Sequence, residues 1–115
     1  MKYIKINTIV NLTSGVQIPS GSAVIIAEGY ADVKSQVEGF IPAQIATFVY
    51  ASYEAMVEGK QALQGIADFA TTFSYAKLPV TSFETVPAET LLVEAVYAEL
   101  ALVYGESNIE IVTIV

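Results

Sequence analysis

A chain of 115 residues with 54% hydrophobic content is one domain with a core of its own, which excludes a disordered tract. Twelve acids against five lysines give a formal net charge of -7, so long-range repulsion disfavours a nucleic-acid surface or an anionic membrane patch. Cys, His, Trp and Arg are all missing, which removes disulfides, thiolate metal sites, the commonest general base and the bidentate phosphate clamp.

The first residues, MKYIKINTIVNL, begin basic, but Lys5, Asn7 and Asn11 interrupt any apolar signal core. The expectation is a soluble chain without a signal of its own. Across 2–11, Ile4, Ile6, Thr8 and Val10 alternate with Lys5, Asn7 and Ile9, which predicts a strand. Thr13-Ser14-Gly15 and Pro19-Ser20-Gly21 are turns, leaving Val16–Ile18 as a short edge piece at most.

From Ser22 to Glu38 the alternation is clearest, with Ala23, Ile25, Ala27, Gly29 and Ala31 on one parity and Glu28, Tyr30, Asp32 and Lys34 on the other. Fully extended, this segment would reach about 56 Å at ~3.3 Å per residue, beyond ordinary strand length. A bend near Gly29 or an arm leaving the body is therefore expected, with 22–42 forming the arm and Gly39-Phe40-Ile41-Pro42 closing its hairpin.

Residues 43–60 fit both periods. The β-formers Thr47 to Tyr50 favour a strand over 44–51, and Ser52 followed by Tyr-Glu-Ala-Met-Val-Glu and Gly59 favours a capped helix over 53–58. Phe69, Thr71, Phe73 and Tyr75 share a parity, predicting an aromatic strand over 67–77 that Leu78-Pro79 ends.

Thr85 as cap, Pro87 in the first turn, Glu89 at the positive dipole end and a left-handed Gly105 at the stop define a helix over 88–104. Its acids Glu89, Glu94 and Glu99 argue against a membrane span. At 100° per residue, Leu91, Ala95 and Leu102 fall together beside Leu92, Val96 and Val103, while Val93, Tyr97, Leu100 and Tyr104 lie nearly opposite. Two apolar faces imply a helix held between the chain's own sheet and another copy. Val93, Tyr97, Leu100 and Tyr104, with Tyr30 on the arm, are the expected interface. A strand over 108–115 follows, with Glu110 able to face Lys2 or Lys5.

Candidates for chemistry are few. Glu54 and Glu58, four apart on the short helix, could share a hard cation, but a solvated helix face is the plainer reading, since such a cation wants more clustered oxygens. Glu94 and Glu99, five apart, point in different directions. Ser14, Ser20 and Ser22 have no base to activate them, and neither Gly15 nor Gly21 opens a phosphate loop. Tyr and Phe could stack on sugars, although aromatics at strand parity more often serve a core or a subunit contact. No catalytic residue, cofactor or metal site is expected.

The order strand, alternating hairpin, strand running into Tyr-Ala-Ser-Tyr-Glu-Ala-Met-Val-Glu-Gly-Lys (50–60), aromatic strand, helix and closing Ile-Glu-Ile-Val strand resembles small virion proteins of tailed bacteriophages, nearest to neck, tail-ring and head-fibre proteins of crAss-like phages. The resemblance implies a non-enzymatic ring or collar subunit located in the virion, with copies of itself and portal, ring or tail proteins as partners. A head-fibre or adhesin-like binding module is the alternative. The expected fold is α+β: a single domain, 1–115, with a mostly antiparallel, sandwich-like body, a long hairpin arm, one short helix, and a C-terminal helix followed by a final strand. Neither nucleic-acid-specific nor membrane binding is expected.

Overall fold

The computed structural model describes residues 2–31, 38–63, 72–79 and 87–114. Among these described residues seven strands and two α-helices follow one another as β1 (Lys2–Ile6), β2 (Val10–Asn11), β3 (Gln17–Ile18), β4 (Val24–Ala31), β5 (Phe40–Tyr50), α1 (Tyr53–Val57), β6 (Thr72–Pro79), α2 (Ala88–Tyr104) and β7 (Ile109–Thr113). A five-stranded antiparallel sheet runs in the order β6-β5-β4-β1-β7, and β2 with β3 makes a small second sheet. The fold is α+β, with its main helix near the C-terminus and a strand after it.

The predicted first strand is shorter than its apolar pattern. It breaks after Ile6, and Val10 and Asn11 turn away to pair with Ile18 and Gln17. The seam is closed by Asn7, whose N–H donates to the Asn108 carbonyl at 2.6 Å and whose own carbonyl accepts from the Ser20 hydroxyl at 2.8 Å.

Strand β4 pairs with β5 along its whole length, from Val24 opposite Tyr50 to Ala31 opposite Ala43. Of the segment expected as an arm, 24–31 and 40–42 therefore belong to β4 and β5 of the main sheet, and 32–37 lie outside the described residues. At Gly29 the partner backbone comes so close that an added Cβ would strike the Gln44 carbonyl. Only a residue without Cβ admits that approach, and the β4–β5 register runs through Gly29 without a shift.

The split of 43–60 holds: β5 ends at Tyr50, and Ser52 caps α1 by accepting from the Ala55 N–H at 3.1 Å. Strand β6 begins at Thr72, so the expected start at 67 lies outside the described residues.

Helix α2 has the predicted bounds but a different start. Pro87, with φ -57 and ψ 142, is the N-cap rather than a first-turn residue, and its carbonyl accepts from Leu91. Thr85, the expected cap, lies outside the described residues. At the far end Gly105 stops the helix with a positive φ of 87, as expected of a glycine, though its ψ of 143 is not the helical left-handed value, and the Asn108 side chain closes the last turn by donating to the Tyr104 carbonyl at 2.7 Å.

One face of the sheet carries Ile4, Ile6, Ala23, Ile25, Ala43, Ile45, Val49 and Ile109, all buried in a single cluster with α2. Leu91 and Ala95 join it from one side of the helix, Val93 and Leu100 from the other. The expected partner-facing residues Val93 and Leu100 are thus inside the chain's own core at 2% and 0% exposure. Their apolar character serves folding, because they belong to the same buried cluster as the sheet and as Val10, Leu12 and Ile18 of the small sheet and its turn.

Three outcomes are expected. Gly29→Ala should lower stability by about 2–3 kcal/mol in denaturant titration, as the β4–β5 pair must part to admit the methyl. Val93→Asp and Leu100→Asp should each abolish the folded circular-dichroism signature, since an unpaired buried charge costs a large share of the roughly 5–15 kcal/mol that holds a domain. Leu102→Asp, at 82% exposure, should fold like the parent.

Candidate functional site

The strand parity that buries one face of the sheet sets a second row of side chains on the other. Val24, Ile26, Glu28 and Tyr30 of β4 stand opposite Tyr50, Phe48, Ala46 and Gln44 of β5, with Phe40 further along the same row of β5. Helix α1 is too short to cover this face. Met56 is buried with Tyr3 and Val24 at one end, and Ile26, Tyr50 and Val112 are partly buried around them. Beyond that shelter Phe48 is 37% exposed, Phe40 42% and Tyr30 64%.

Where α1 meets β1, a cavity of about 290 Å³ opens beside Tyr3, Lys5, Ser22, Ser52, Tyr53 and Glu54. The Tyr3 and Tyr53 rings lie 5.6 Å apart, tilted by 33°, within the range of favourable aromatic pairs. Lys5 reaches Glu110 at 4.0 Å, as its register predicts, but both side chains are well exposed and the pair contributes little to stability. Burial pushes the Tyr3 phenol above its ordinary value of 10.0, and the nearby Tyr53, Glu110 and Glu54 raise it further.

Each residue expected at an interface now has a place. Tyr30 is on the open sheet face. Tyr97 and Tyr104 are half-buried and packed against the core, which Val93 and Leu100 help to form. Among the described residues the large apolar side chains that α2 exposes are Leu102 and Val103 instead. Glu54 borders the cavity while Glu58 lies 4.0 Å from Lys60, so the two carboxylates are drawn to different neighbours. Among the described residues no group of three or more acids is placed to hold a metal ion, and no helix is long and apolar enough to cross a membrane.

Sequence reasoning missed the open face because it read 44–51 as a strand from its β-formers without asking which parity its neighbours would cover; Ile45, Thr47 and Val49 make one row. The other parity, Phe40, Phe48 and Tyr50, is equally apolar and was the available signal.

A raised phenol pKa means that the fold favours neutral Tyr3. Its stabilising contribution is complete below the unfolded value near 10.0 and is lost as pH climbs through the folded value. Stability should therefore decline above about pH 10, and Tyr3→Phe should remove that part of the decline, as measured by denaturant titration across the alkaline range.

No protein-family model, no curated protein and no solved structure matches this chain, so its reading rests on the open sheet face and the Tyr3–Tyr53 cavity.

Proposed function

We propose that the chain is a non-enzymatic structural subunit of a tailed-phage virion that assembles with copies of itself into a ring or collar. The observation that carries this reading is the sheet face left uncovered among the described residues, where Tyr30, Phe40 and Phe48 are exposed beside the Ile26–Phe48 pair. Aromatic side chains in one exposed row are the composition of a subunit contact. They gain most from burial when the opposing surface is equally flat and apolar. The resemblance of the element order to neck and tail-ring proteins supplies the virion setting, and the charge of -7 suits a wall past which DNA slides without adhering.

A second reading has its own observation. The cavity between Tyr3 and Tyr53, edged by Lys5, Ser22 and Glu54, offers ring faces and hydrogen-bonding groups together, the chemistry by which a binding module takes a sugar.

Native mass spectrometry of the parent should give oligomers, and Phe48→Glu should reduce them to smaller species with an unchanged circular-dichroism spectrum. A parent that stays monomeric at high concentration and binds glycans, with loss of binding in Tyr53→Ala, would replace the first reading with the second. A gel-shift assay with double-stranded DNA at physiological salt should show no retained complex, and salt-sensitive binding would contradict the proposed wall.

A further inference from the structure

The main sheet has two edges of different construction. Strand β6 contains Lys77 and Pro79, and its pairing with β5 is interrupted by a register shift between Ile41 and Ala43. Lysine, proline and bulges are devices that discourage an edge from accepting another strand. Strand β7, Ile-Glu-Ile-Val-Thr, has none of these, and its only acid, Glu110, leans towards Lys5. Among the described residues β7 pairs with β1 alone.

The phase of the β1–β7 ladder decides which backbone groups that edge presents. Asn7 donates to Asn108 across β7, whereas Ile6 donates to Ala23 and accepts from Gly21 on the opposite side. The Lys2 N–H, in the same phase as Ile6, likewise turns from β7 and donates to Glu89 at 3.2 Å. In an antiparallel ladder the bonded pairs alternate, so Asn108, Glu110 and Val112 face β1. The N–H and C=O groups of Ile109, Ile111 and Thr113 face outward.

We infer that β7 pairs antiparallel with β7 of a second copy of this chain, in the register that sets Ile111 opposite Ile111. A two-fold axis through that pair aligns the outward groups of Ile109 with those of Thr113 on the other copy, so every outward donor of the strand meets an acceptor. Side chains agree with the backbone. Glu110 falls opposite Val112 rather than another Glu110, which avoids a like-charge pair. The helix-covered faces of the two sheets lie on the same side, making one continuous sheet. A second copy suits this edge because the strand is its own complement in this register. The contact deepens the structural reading and rests on it, but it is isologous: it closes a pair and leaves the ring to the separate contact through Phe48.

The test uses two substitutions in the full chain. Thr113→Pro removes an outward N–H that β1 does not use, at an exposed position, so the fold is kept while pairing weakens by about tenfold or more. Ile111→Cys introduces the chain's only thiol at the axis, where a bonded antiparallel pair holds its Cα atoms about 5.5 Å apart, within disulfide reach. Light scattering after gel filtration should show a dimer or a multiple of it for the parent and a halved mass for Thr113→Pro, with matching circular-dichroism spectra. Mild oxidation should cross-link Ile111→Cys, but not Glu28→Cys on the open face, into a covalent dimer. If Thr113→Pro fails to fold, the cross-link decides. A monomeric parent, or no cross-link at position 111, overturns the inference. Assembly that survives Thr113→Pro but disperses with Phe48→Glu overturns the edge pairing alone and leaves the structural reading standing.

Discussion

The packing of α2 across β4, β1 and β7 is the constraint on which the rest of the molecule depends. Ile4, Ile6, Ile25 and Ile109 form a flat apolar surface that water would otherwise cover, and Val93, Val96 and Leu100 remove it from water. Because every strand alternates, satisfying that surface fixes the opposite parity as the outer face. Burial of the isoleucines thus decides that Phe48 and Tyr30 point outward, and the candidate site is a by-product of the core.

Local grammar made much of this legible. Ser52 and Gly59 announced α1, Gly105 announced the end of α2, and the alternation of 23–31 announced β4, because caps and periods act over a few residues and need no partner to be read. What covers an apolar surface was not legible. Two apolar sides on α2 were correctly seen, yet one was assigned to another copy when the same chain encloses both. Periodicity reports that Val93 and Leu91 avoid water; it does not say whether the cover comes from Ile25, from Leu12 or from another molecule. The break after Ile6 was hidden for a related reason. Val10 is as apolar as Ile4, and only the turn towards Ile18 shows that it serves the second sheet.

The position of β1 has a consequence for how the chain reaches its native state. This strand lies between β4 and β7, so the earliest described residues cannot complete their ladder until the last strand arrives, and Ile4 must wait for Ile111. Loop-closure entropy makes such a late, distant pairing slow compared with the β4–β5 hairpin. On the ribosome the hairpin is complete while β1 still has an open flank with Ile4 and Ile6 beside it, and that flank is a template for any strand of similar composition. Crowded synthesis of many copies therefore carries a risk of the wrong partner's β7 docking on β1, an exchange of ends between chains that would produce linked subunits with native-like sheets.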